Sequence, residues 1–502
     1  MAYVQPNTII EVMENVPITP SYNDTLYFGS YSDQNTYFST QVKYTFSKQY
    51  YQRVGKNRCR VEKNAENLYN CNYMRFKNYA YGNKWFYAFI LEVEYINDNV
   101  SEIIYEIDEL QTWYFDMVLG QCFVEREHAT SDNVGEHLLP EPVDTGESVC
   151  NGLISGGFTD LSILLLWGEA DGIELCLRDG VYSDVGMMSA PYSTEGATSI
   201  KNTLEGIFGQ TGGADSIVAL YMVPSVMLSN NNLSTPYTTT KAISRPTSVG
   251  TKTPFTPKNK KLLTFPYTYL CVDTLDQSQV YKYERFVNSG NNVGFKITGT
   301  YLNNPTFACA PMDYEFSGVN HTNQVLMAGY PMCIINVNTY KQWISNNWAH
   351  VLTGMASSVG SIALGAASGS ITGSVVGMIG LGKNIADLAL ESNRVNTARG
   401  SFTSSINAQA RTKDIYFKRM TILYERAKSI DEFFDRYGYA CERVKTPNIH
   451  ARQNWTYTKT RGCVVKGKLP ASSARKIADI FDKGITFWVS AVGNYSISNP
   501  TL

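Results

Sequence analysis

"NKWFYAFILEVEYINDNVSEIIYEIDELQTWYFD", from Asn83 to Asp116, holds two runs of β-branched and aromatic residues on either side of Asn97-Asp98-Asn99. Runs of this kind pair as strands, and the Asn-Asp-Asn step supplies the turn between them. The alternation of Glu92 and Glu94 with Val93 and Tyr95 predicts a hairpin strand with one wet face and one buried face. An antiparallel sheet is therefore the expected frame of the N-terminal third.

Composition carries the same reading along the rest of the chain. Aromatic residues make up 13% of the 502 positions, led by 34 Tyr, and Asn, Ser and Thr are abundant. That mixture favours half-exposed pleated sheet over helical bundles, so the expected class is mainly β with an α+β character. Charged residues are 18% of the chain and the net charge is −2, which excludes a uniformly basic nucleic-acid surface. The balance is nevertheless uneven: residues 1–150 carry 21 acids and 11 bases, whereas residues 411–502 carry 8 acids and 17 bases. An acidic front and a basic end attract one another within or between subunits. The ten cysteines have no C-x-x-C pair, so they read as reduced thiols and not as a zinc site or a disulfide framework. The opening "MAYVQPNTIIEVMENVPITP" has neither the basic nor the apolar region of a secretion signal, and synthesis in a cytoplasm is expected.

Further along, "LSILLLWG" and similar short apolar runs mark a β-rich middle third. Leu228 to Lys261, with four prolines and little apolar periodicity, reads as an exposed connection. Helical spacing appears late. Ile422, Leu423, Ala427, Ile430, Phe433, Phe434 and Tyr437 recur at threes and fours, with Gly438 as the stop. A second helix is expected over Ser473–Lys483, capped by Ser472 or Ser473 and ended by Gly484, followed by a closing strand in "GITFWVSAVGNYSIS".

Catalytic chemistry is hard to place in this chain. None of the five histidines has a metal-type i, i+4 partner, and no phosphate loop, dinucleotide fingerprint or calcium loop occurs. Cys122 and His128 read as a buried thiol and a strand-end histidine. Glu106 and Asp108 read as ordinary acids of a sheet face, and the basic stretch Arg443–Lys468 as a solvated sheet face. No catalytic residue, metal ligand or cofactor is assigned.

One segment stands apart. Between Lys341 and Lys383 lie 41 positions without Asp, Glu, Lys or Arg. Within residues 351–382, 16 of 32 residues are apolar, 8 are Gly and 8 are Ser or Thr. The length exceeds the ~20 residues a spanning helix needs, yet the transfer energy of so mixed a segment is marginal. The apolar positions are Val351, Leu352, Met355, Val359, Ile362, Leu364, Ile371, Val375, Val376, Met378, Ile379 and Leu381, with four alanines between them. Gly365, Gly369, Gly373 and Gly377 repeat every four residues, which on a helix makes one smooth stripe for close helix association. Membrane insertion, a Gly/Ala-rich helix pair in a soluble core and a flexible linker all fit these letters, although "VVGMIGL" is poorly suited to lie free in water.

"YGNKWFYAF", "EIDELQTWYFD" and "VEREH" in the first third, with "FFDRYGY", "RVKTPNIHAR" and "IFDKGITFWVSAVGNYSISN" in the last, resemble the tail knob or distal tail-tube proteins of small short-tailed podophages (Picovirinae-type) of Gram-positive bacteria. The resemblance implies a virion protein of the tail tip, made in the host cytoplasm. It implies a homohexameric tube of antiparallel β-barrel or sandwich domains, built from the N- and C-terminal parts, with viral DNA passing through the lumen without sequence specificity. It also implies contacts with collar or tail-tube proteins and a tail-tip hydrolase. The corresponding division is 1–150 as N-terminal tube domain, 151–303 as a variable middle domain and 304–341 as return strands. It continues with 342–400 as an apolar Gly-rich loop and 401–502 as helix plus C-terminal tube part. In that family the apolar loop plugs the tube and then forms a pore in the host cytoplasmic membrane for genome ejection. Service only as a plug or assembly contact is the alternative.

Overall fold

Every strand ladder among the described residues is antiparallel except the short pairing of Asp24–Leu26 with Ile485–Trp488. The computed structural model describes residues 7–49, 57–79, 82–168, 176–178, 181–183, 185–208, 217–228, 236–250, 254–275, 277–287, 290–300, 306–315, 326–329, 332–333 and 413–502. Contacts divide the chain into two units. The first comprises Met1–Asp144, Pro257–Leu262 and Glu425–Leu502; the second comprises Thr145–Thr256 and Leu263–Tyr424.

In the first unit, the Asn83–Asp116 stretch forms the hairpin expected of it. Phe86–Asn97 pairs with Val100–Ile107, with the turn at Asp98-Asn99. The hairpin joins a six-stranded sheet in the order Val42–Gln49, Thr8–Glu14, Cys71–Asn78, Phe86–Asn97, Val100–Ile107, Arg58–Val61. A second sheet, of five strands, interleaves the two ends of the chain. Its order is Asp24–Leu26, Ile485–Trp488, Trp455–Arg461, Cys122–Glu127, Tyr439–Lys445. Helix Ala471–Lys483 buries Ile477, Ile480 and Phe481 in a core with Phe38, Tyr73, Phe89 and Leu110. Each of these side chains contributes about 1.5–3 kcal/mol when fully withdrawn from water, so the C-terminal helix is held by N-terminal residues.

Among the described residues the second unit contains three four-stranded sheets. Leu161–Gly168 lies between Val185–Pro191 and Ile217–Pro224, and the first six residues of this apolar run are buried, as a strand covered on both faces requires. Tyr416–Ile422 lies between Ser148–Ser155 and Thr268–Asp273. Thr306–Met312 pairs with Asn292–Thr300 and Leu326–Gly329.

Several local expectations are corrected. Leu228–Lys261 is not merely an exposed connection. Tyr237–Ser244 is a strand paired along its length with Asn292–Thr300, and Tyr237 and Ile243 are buried. Thr238 and Thr240 lie exposed on one face, which hid the strand among polar letters. The helical pattern begins too early in the sequence reading: Ile422 ends a strand, and the helix runs Tyr424–Tyr437. The last helix starts at Ala471 behind Pro470, with no side-chain cap from Ser472 or Ser473, although Gly484 does end it. Ile485–Trp488 is a shorter closing strand than expected. Tyr95 is exposed, because the hairpin extends beyond the core at its turn end.

Candidate functional site

The apolar segment and its glycine stripe (Val351, Leu352, Met355, Val359, Ile362, Leu364, Gly365, Gly369, Ile371, Gly373, Val375, Val376, Gly377, Met378, Ile379 and Leu381) lie outside the described residues. Among the described residues no helix is long and apolar enough to cross a membrane, and no group of three His, Cys, Asp or Glu is placed to hold a metal ion.

What the described residues do build, in the first unit, is a fastening site around the short basic strap Pro257–Leu262. Helix Tyr424–Tyr437 places Asp431 and Asp435 one turn apart on its buried face, beside Ala427, Ile430 and Phe434. Asp431 accepts hydrogen bonds from the backbone N–H of Lys258 (3.0 Å), the N–H of Asn259 (2.9 Å) and the Asn259 side-chain amide (2.9 Å). Asp435 accepts from Lys258 Nζ at 3.0 Å. The N–H of Lys260 donates to Asp132 Oδ2 at 3.1 Å, and Tyr439 donates to Asp132 Oδ1 at 2.6 Å. Lys261 is buried and donates to the carbonyl of Leu139 at 2.8 Å and to the Glu141 carboxylate, which Arg126 also engages.

Burial raises the carboxyls of Asp431 and Asp435 above the ordinary range, and hydrogen bonds from the strap pull them back. Burial likewise lowers the Lys261 ammonium, partly offset by Glu141. Such a site orders chain and resists water; it presents no reacting atom. Sequence reading missed it because its partners lie about 120 to 180 positions apart. The one local signal was two acids at helical spacing within an apolar stripe.

His128 is a second fastening. It follows strand Cys122–Glu127, and its Nδ1 accepts the Tyr457 N–H at 2.7 Å, which assigns the proton to Nε2. Nε2–H then donates to the Asp435 carbonyl at 3.1 Å, and Trp455 Nε1–H donates to the same oxygen at 2.7 Å. These bonds satisfy a carbonyl in the last helical turn that has no partner within the helix. Gly438 turns the chain there at φ +65°, and a Cβ would lie 2.2 Å from the Glu127 carbonyl, so only glycine fits.

Burial, with the Arg452 charge nearby, pushes the His128 pKa down from 6.5 to about 3. The unfolded chain therefore binds a proton between those values that the folded chain does not. Stability contributed above pH 6.5 is lost as pH falls toward 3, at roughly 1.4 kcal/mol per pH unit. Asp108 opposes part of this: burial raises its pKa to about 6, so the folded chain gains protons as pH falls from 6 toward 3.8. His128→Asn is expected to lower the melting temperature at pH 7 and to flatten its decline between pH 7 and 5. An unchanged slope in thermal scans would contradict the assignment.

The remaining sequence candidates separate. Asp108 caps helix Glu109–Trp113, accepting from the Gln111 N–H at 3.0 Å and from Tyr73 Oη–H at 2.9 Å, whereas Glu106 is half-buried and pairs with Lys476 at 4.0 Å. Cys122 is buried and its thiol pKa is raised by burial. In the basic stretch, Lys445 pairs with Glu127, and Lys459 and Arg461 pair with Glu125. A cleft of about 320 Å³ beside strand Tyr439–Lys445 is walled by His137, Leu138, Leu139, Tyr439 and Arg443. Its one thiol, Cys441, is held protonated by burial.

Comparison with known proteins supplies the context. Residues 228–500 match the family model described as Bacillus phage phi29, Tail knob protein gp9, C-terminal domain. Residues 6–118 match the caudoviral major tail protein N-terminus. The chain is 25% identical to the tail knob protein gp9 of Bacillus phage PZA, and 25% identical to that of Bacillus phage phi29, covering 99% of this chain and 100% of each relative. The bacteriophage C1 tail knob protein gp12 superposes with a TM-score of 0.66 over 99% of this chain and all of that one, at 13% identity.

Proposed function

The chain belongs to the family of the phage phi29 tail knob protein gp9 and is a structural protein of a podophage tail, and on that premise we propose that it is the distal tube through which the genome leaves. Six copies form a ring around a channel for viral DNA. The N- and C-terminal parts build the tube wall, joined to other tail proteins. An apolar loop from each copy closes the channel until the host is reached, and the loops then perforate the cytoplasmic membrane.

The observation that carries this reading is the 41-position stretch without a charge, with its four-residue glycine period. A charged side chain at a bilayer centre costs roughly 2.5–3.5 kcal/mol on insertion scales, so a long charge-free run removes the main barrier to insertion. Half of residues 351–382 are Gly, Ser or Thr, which lowers the penalty of storing the segment in water before use. Tethering six such segments in one ring raises their effective concentration, so weak single-copy energetics sum to a stable pore. The five-stranded sheet, which interleaves strands from both ends of the chain, supports a tube wall made jointly by those ends.

The double variant Gly369→Leu/Gly373→Leu tests the stripe. Dye release from anionic lipid vesicles is expected to fall by roughly tenfold or more, since two isobutyl groups hold helices apart where backbones must approach, while the mass of the assembled ring stays unchanged. Release equal to wild type would favour a segment that serves only as a plug or assembly contact.

A further inference from the structure

Two exposed surfaces of the first unit carry opposite charge, and within one copy neither covers the other. One is the turn end of the Phe86–Asn97 hairpin strand, where Leu91, Tyr95 and Ile96 are 52%, 58% and 39% exposed. Residues 91–98 contain three acids and no base; Glu94 pairs with Arg58 at 3.3 Å, and among the described residues Glu92 and Asp98 form no ion pair. The other is the outward face of the five-stranded sheet. Phe123 stands in register with Val444 on one side and with Arg461 on the other, so the three side chains form a row. Val444 is 67% exposed on the edge strand, and the Arg461 side chain is 78% exposed. Lys459 and Arg461 share the one carboxylate of Glu125, at 2.9 and 2.7 Å, which leaves this part of the face with excess positive charge.

Apolar side chains exposed on an edge strand and on a protruding hairpin mark surfaces that become buried in an assembly. Their opposite charges select which surface meets which. We propose that the hairpin end of one copy docks on the sheet face of the next, with Ile96 packed against Phe123 and Val444 and with Glu92 facing Arg461. Tip and face are different patches of the same chain, so the contact is head-to-tail, and its repetition does not stop at a dimer but closes a ring where the rotation per copy allows. The inference rests on the ring assembly proposed above and adds the surfaces that make it.

Charge reversal in the full chain tests the contact. Glu92→Lys and Arg461→Glu, each alone, bring like charges together, and the concentration for half-assembly is expected to rise roughly 10- to 100-fold by native mass measurement. Mixed in equal amounts, the two variants are expected to assemble again with alternating copies, since the reversed tip of one meets the reversed face of the other. The double variant is expected to assemble alone, and all three should melt near the wild-type temperature because both residues are exposed. Single variants that assemble like wild type overturn the contact, as does a mixture and a double variant that both stay monomeric beside an assembling wild type. A wild-type chain that is monomeric at every concentration overturns both the contact and the ring on which it rests.

Discussion

Deleting residues 351–382 is expected to reduce dye release from lipid vesicles to the level of vesicles alone while leaving the ring mass, less the deleted residues, intact. The segment holds 16 apolar residues in 32, four of them alanine, so no single copy inserts as a stable anchor. In the proposed ring its action is collective: with six copies tethered together, deletion removes every copy of the segment at once. The described fold, by contrast, is held by sheets and cores elsewhere in the chain, among them the joint core of Phe38, Tyr73, Phe89, Ile477 and Phe481. Release and assembly are therefore separable. Persisting release from the deleted chain would assign perforation to another surface, and loss of the ring would make the segment an assembly element.

Asp431→Ala is expected to lower the stability of the first unit by about 3 kcal/mol, because three strap donors lose their shared acceptor in a buried position and each unsatisfied buried group costs about 1–3 kcal/mol. The neighbouring Lys258–Asp435 pair is half exposed at the lysine and does not compensate. The strap also carries Lys258, Lys260 and Lys261, each a site for trypsin, and Lys261 is now buried. Releasing the strap exposes these bonds, so cleavage between residues 258 and 262 is expected to accelerate by roughly a hundredfold, following the open-state population. Asp431→Asn keeps one acceptor oxygen and is expected to show a smaller effect. Unchanged melting and unchanged cleavage in Asp431→Ala would remove the strap from the account.

Local chemistry made part of this fold readable. The Asn83–Asp116 hairpin follows from strand propensity and an Asn-Asp turn, both encoded within a few residues. The helix that ends at Tyr437 was legible at its C-terminus because Gly438 takes a backbone conformation that other residues resist. Its start was not, because Ile422 and Leu423 continue the apolar pattern of a preceding strand. Strand Tyr237–Ser244 was hidden because its identity lies in its partner, Asn292–Thr300, and its own polar letters resemble a loop. The strap was hidden for the same reason: Asp431 and Asn259 meet across 172 positions, and no periodicity spans that separation. The charge-free segment stood out by composition alone.

The pooled loops, the shared channel and the hairpin-to-sheet contact proposed above all rest on a ring of six copies. Native mass spectrometry of the wild-type chain over a wide concentration range measures that ring itself. A dominant species of six times the chain mass is the predicted result, and a single-chain mass at every concentration would contradict the account.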